Sequence, residues 1–115
     1  MQDHVHTLGQ LIERIMTEAA QDLKGSSRVS IVLMGSFQKS IEVNDIDLIL
    51  IYDKLNICKL KELKIRLANS IYEHYKIPVH YTTLSMKEYT EMTQLHAEKH
   101  ICVYEAKNDV TEVSV

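Results

Sequence analysis

Asp45 and Asp47 stand two residues apart, where a polar interval gives way to the apolar run Leu48-Ile49-Leu50-Ile51. On an extended strand, residues i and i+2 point to one face, so this spacing sets the two carboxylates side by side. Neighbouring carboxylates repel and disturb each other's ionisation unless a cation lies between them. Charge leading into an apolar strand is also costly without a partner. A divalent cation answers both demands, and hard carboxylate oxygens suit Mg2+ or Mn2+. Upstream, the run Val29 to Met34 ends in Gly35-Ser36. Glycine permits close backbone approach, and serine offers a hydroxyl and an amide. A helical turn beginning within Phe37 to Ser40 would turn its amides toward the same place, forming a phosphate cradle to which Lys39 adds positive charge. A metal platform and a phosphate cradle at neighbouring strand ends suit a metal–nucleoside triphosphate. Gly35, Ser36 and Lys39 are the candidate nucleotide-binding residues, and Asp45 and Asp47 the candidate metal ligands. The alternative is a loop that carries surface aspartates, since neither Gly-Ser nor Asp-x-Asp is specific alone.

The elements that must position these residues are legible from periodicity. Leu8, Leu11, Ile12, Ile15, Met16, Ala19, Ala20 and Leu23 recur in steps of three and four and predict a helix, closed by Gly25-Ser26-Ser27. His4 and His6 precede it in what reads as a loose terminus. Val29 to Met34 predicts a buried strand, and the nearly unbroken Ile46 to Tyr52 a central one with both faces covered. Asp53 to Asn56 is a turn. Leu60, Leu63, Leu67 and Ile71 mark a helix to about Lys76, and Pro78 introduces a third strand, Val79 to Thr83. Ser85 and Glu88 have the spacing of a capping box, so a helix is expected from there to about Lys99. Ile101 to Tyr104 predicts a last strand. Residues 1–106 form one domain, and 107–115 are expected to be a flexible tail. The class is α/β (α+β): a small mixed sheet with helices packed on it.

The segment Gly35-Ser36 … Asp45-Ile46-Asp47-Leu48 resembles the signature of the DNA polymerase beta nucleotidyltransferase superfamily, above all its small stand-alone members. The resemblance covers most of the chain and implies a nucleotidyltransferase fold. It implies that Ser36 and the turn after it bind the β- and γ-phosphates of ATP. It further implies that Asp45 and Asp47 hold Mg2+ (or Mn2+), and that AMP is transferred to a hydroxyl of a protein or small molecule. Such proteins resemble antitoxins paired with a helical HEPN-domain toxin, so a HEPN-type partner or a homo-oligomer is expected. The chain departs from the family at three points. The interval from Ser36 to Asp45 is short, Lys39 or Ser40 stands where a glycine is usual, and His80 occupies the position of the third carboxylate. An imidazole there serves as a catalytic base or binds a softer metal than Mg2+; the contrary expectation is a degraded site and a binding module that acts through a partner. Glu42 is a further carboxylate available from the loop.

The bulk properties narrow the partners. With 115 residues, 45% of them apolar, and a formal net charge of −3, the chain lacks the basic surface that general nucleic-acid binding needs. It has no run of about 20 apolar residues that would span a bilayer. The start Met1-Gln2-Asp3-His4 does not read as a signal peptide, and Cys58 and Cys102 have no metal-ligand spacing. The expectation is a cytoplasmic protein with reduced thiols. His96 and His100, four apart, are expected to be a solvated helix end.

Overall fold

The computed structural model describes residues 4–19, 28–54, 57–92 and 99–105. Helix α1 (His4–Ala19) turns Leu8, Leu11, Ile12, Ile15, Met16 and Ala19 inward, the stripe its spacing predicts. It begins four residues before Leu8, so His4 and His6 belong to the helix and not to a loose terminus. The reason is tertiary: His4 finds partners in two other elements, described below. The expected extension to Leu23 lies outside the described residues.

Among the described residues four strands form one mixed sheet in the order β3-β2-β1-β4. Strand β1 (Arg28–Met34) pairs antiparallel with β2 (Ile46–Asp53), from Arg28 opposite Asp53 to Met34 opposite Asp47. Helix α2 (Ile57–Tyr75) carries the chain across the sheet, so that β3 (Val79–Ser85) lies parallel to β2. The short β4 (Ile101–Tyr104) pairs antiparallel with β1, with a register shift between Ile31 and Val32. At the end of α2, Lys76 adopts φ 60° and its N–H donates to the Tyr72 carbonyl, a left-handed cap that lets Ile77 and Pro78 turn into β3.

The two faces of the sheet are unequal. Ile31, Leu33, Ile46, Leu48 and Leu50 pack under α1 and under Leu60, Leu63, Leu67 and Ile71 of α2. Among the described residues the opposite face buries Val32, Ile49, Ile51 and Leu84, with Met34 and Tyr89 packed at their side. An interior strand with both faces covered has no reason to alternate, which accounts for the unbroken apolar run of β2. Each fully buried Leu or Ile side chain contributes about 1.5–3 kcal/mol.

Helix α3 (Met86–Glu91) has the expected capping box: the Glu88 amide donates to Ser85 Oγ at 3.1 Å, and the Ser85 amide to Glu88 Oε1 at 2.8 Å. It ends at Glu91 and not near Lys99. Met92 leaves the helical region at φ −92°, ψ 81°, and none of the residues of α3 is itself buried. Residues 93–98, with His96 among them, lie outside the described residues, and so does the expected tail from Lys107. His100 precedes β4 in irregular backbone. Cys58 and Cys102 are exposed and not paired in a disulfide. Among the described residues no helix is long and apolar enough to cross a membrane.

Candidate metal centre

The site lies at one end of the sheet, where β1 finishes and the parallel pair β2 and β3 begins. Sheet register forms its row: Met34 faces Asp47 across β1 and β2, and Asp47 faces His80 across β2 and β3. Strand alternation puts Asp45 and Asp47 on the face of Ile49 and Ile51, the more lightly covered one. His80 reaches them from β3, its Nδ1 3.4 Å from Asp45 Oδ2 and 3.8 Å from Asp47 Oδ1. One ligand atom from each of the three residues lies within 4.8 Å of the other two.

These separations are somewhat wider than those of donors around a metal ion. With ligand bonds of about 2.0–2.1 Å, neighbouring donors stand about 3 Å apart on an octahedral ion and about 3.4 Å on a tetrahedral one. Two carboxylate oxygens and one imidazole nitrogen need only small side-chain adjustments to reach that spacing. The donor set also selects among ions. Two oxygens suit Mg2+, Mn2+ or Zn2+, while the imidazole favours Mn2+ or Zn2+ over Mg2+. Among the described residues Glu42 does not join this group; it is exposed in the loop, its amide donating to Ser40 Oγ at 3.0 Å.

Without a cation the cluster is electrostatically uneasy. The Asp47 carboxyl is pushed above its ordinary value by burial first and by the Asp45 carboxylate second, with His80 opposing both. Half-burial of two like charges is the arrangement that a bound cation relieves.

Gly35 is required beside Asp47. It adopts φ 77° and ψ −163°, a region that L side chains rarely enter. A Cβ placed there would stand 2.6 Å from Asp47 Oδ2. Gly35→Ala is therefore expected to destabilise the fold by about 1–3 kcal/mol from backbone strain, and to displace the Asp47 carboxylate as well. Urea unfolding checks the first effect and Mn2+ titration the second; an alanine variant with natural stability and natural Mn2+ affinity would refute both.

Ser36, Phe37 and Gln38 form a 3-10 turn directly after Gly35. The amides of Lys39 and Ser40 donate to the Ser36 carbonyl, and that of Gln38 to the Gly35 carbonyl. Three of the amides expected to face a phosphate are thus used within the turn, while Ser36 and Lys39 are exposed. Two anchors of this turn escaped the sequence reading. Gln38 Nε2 donates to the Gly35 carbonyl at 3.2 Å and to the Lys99 carbonyl at 3.0 Å, tying the turn to the approach to β4. Phe37 is fully buried, and His4 Nε2 lies 2.6 Å from its carbonyl oxygen. The available signal was Phe37 itself, the chain's single phenylalanine, set in a polar interval. Compared with protein-family models, curated proteins and solved structures, the chain finds no match in any of the three.

Proposed function

We propose that this protein has a nucleotidyltransferase fold, acts in the cytoplasm, and binds a nucleoside triphosphate, ATP above others, together with a divalent cation. The reaction is transfer of AMP to a hydroxyl of a protein or small molecule: the acceptor oxygen bonds to the α-phosphorus, pyrophosphate leaves, and the hydroxyl proton passes to a base. The observation that carries this reading is the convergence of Asp45, Asp47 and His80 within 4.8 Å at a strand end, one residue row from Gly35-Ser36. The three side chains would hold the cation, which would supply positive charge at the phosphates. Ser36 and Lys39 would contact the outer phosphates, and His80 would act as third ligand or as base.

Ser36→Ala tests the phosphate role. It is expected to weaken ATP about fivefold to a hundredfold while leaving adenosine unchanged, because a hydrogen bond to a charged group is worth about 1–3 kcal/mol. Calorimetric titration of both ligands measures this, and an unchanged preference for ATP over adenosine would reject the role. Mass spectrometry of candidate acceptors, after incubation with ATP and Mg2+ or Mn2+, tests the reaction itself.

A second reading, a binding module on the same scaffold that acts through a partner, has its own observation. Ile57, Ile65 and Tyr72 of α2 are 70%, 60% and 51% exposed. At 100° per residue they share one stripe, to the side of the buried Leu60, Leu63, Leu67 and Ile71. A helical partner of the HEPN type would lie along it. Recovery of such a partner in a stable complex, with no gain of AMP on either protein, favours this reading over transfer.

A further inference from the structure

We propose that His4 is a positioning residue for the nucleotide cradle, holding the 35–38 turn, and Ser36 with it, through the carbonyl of Phe37. The turn's own amides are directed to the Gly35 and Ser36 carbonyls, which leaves the Phe37 carbonyl to a donor from elsewhere. His4 supplies it from 33 residues away, Nε2 to oxygen 2.6 Å. A carbonyl only accepts, so Nε2 carries the hydrogen in this contact.

The contact belongs to a closed ring of three residues. The His4 and Phe37 rings meet edge to face at 4.7 Å and 83°, and the Phe37 and Tyr75 rings at 5.3 Å and 82°. Tyr75 Oη then donates to the His4 carbonyl at 3.3 Å. The first residue of α1, the turn, and the last residue of α2 therefore meet around a phenylalanine with no exposed surface. Phe37 and Tyr75 contribute apolar packing common to the whole core. The His4 hydrogen bond is different, because it acts on the backbone of the turn alone. Ser36 immediately precedes the anchored residue, and small errors in the placement of a binding group lose much of its effect.

The cradle half of this proposal rests on the reading of Ser36 as a phosphate contact, so the experiment has one readout that needs no nucleotide. Amide hydrogen exchange by NMR is compared in the natural protein, His4→Ala, and His4→Gln, whose side-chain amide can donate in place of Nε2. In His4→Ala the Lys39 and Ser40 amides, which close the turn, are expected to exchange about fivefold faster, the factor for one hydrogen bond. The amides of Leu67 and Ile71 in the core of α2 are expected to keep their rates. His4→Gln is expected to restore most of the protection. In parallel, ATP is expected to weaken in His4→Ala and recover in His4→Gln, with adenosine and Mn2+ affinities unchanged. Unchanged Lys39 and Ser40 exchange in His4→Ala, or one uniform acceleration of every amide, overturns the clamp. Natural protein that prefers ATP no more than adenosine overturns the cradle half, and the exchange rates then decide the clamp by themselves.

Discussion

Asp47→Asn is expected to raise the dissociation constant for Mn2+ by about a hundredfold or more. Loss of a residue that merely supports a ligand costs roughly tenfold to a hundredfold in metal affinity, and Asp47 is the central donor of the row. It faces His80 across the parallel pair, and Asp45 stands two residues before it on the same face. Asparagine keeps the shape and removes the charge, so the change isolates the electrostatic contribution. The same variant is expected to move stability in the opposite direction when no metal is present. Folding raises the Asp47 pKa, through burial and the Asp45 carboxylate, and therefore favours its protonated form. The stability this lends is present below the ordinary carboxylate pKa and is lost as pH rises through the raised one. Asparagine has no such loss, so metal-free Asp47→Asn is expected to match the natural protein in acid and to gain on it toward neutral pH. Thermal unfolding at about pH 3.5 and pH 7.5, with and without Mn2+, reads both effects. Equal Mn2+ binding by the two proteins would end the metal assignment, and a natural protein that gains on the variant with pH would refute the electrostatic account of Asp47.

The residues that line this site were legible because they sit where a simple period breaks. Two aspartates at i and i+2 before Leu48 identify one face of one strand without any knowledge of the fold. Gly35 was legible as a place of close approach, though not which atom approaches; Asp47 Oδ2 does, from the neighbouring strand. The buried run of β2 announced an interior strand, yet the place of β4 beside β1 depends on non-local pairing that four residues cannot encode. The end of α3 was misread for a related reason. Its capping box is a local signal and was found, whereas Met92 leaves the helical region with no glycine or proline nearby to mark the stop. His4 was misread most completely. Nothing within several residues of it points to Phe37 or Tyr75, and the bond that makes it part of α1 spans 33 positions. Local period and chemistry fix what a segment can do, and long-range packing decides where it stops and what it touches.

His80→Asp is expected to shift the metal preference of the site toward Mg2+, changing the ratio of Mn2+ to Mg2+ affinity by at least tenfold. The natural donor set holds one imidazole, which brings no negative charge and suits borderline ions, whereas Mg2+ dehydrates reluctantly and demands charged oxygen ligands. The natural protein is accordingly expected to bind nucleotide and to transfer AMP weakly with Mg2+, and the variant to transfer faster, since a third carboxylate completes the oxygen site. The gain has an electrostatic cost. His80 stands beside Asp45 and Asp47, its Nδ1 3.4 Å and 3.8 Å from their nearer oxygens, and adds no negative charge to theirs. An aspartate in its place adds a third negative group, so the metal-free variant is expected to be less stable than the natural protein and to recover on addition of Mg2+. The opposing account makes His80 the base that takes the acceptor's proton, a role for which an imidazole is suited near neutral pH. The accounts separate on transfer rates measured by mass spectrometry with each ion. Robust transfer by the natural protein, abolished in His80→Ala with Mn2+ binding intact, would reject the ligand role and make His80 the base. Weak Mg2+-dependent transfer by the natural protein together with faster transfer in His80→Asp supports the ligand role, because an imidazole acting as an effective base would already give the natural protein robust transfer.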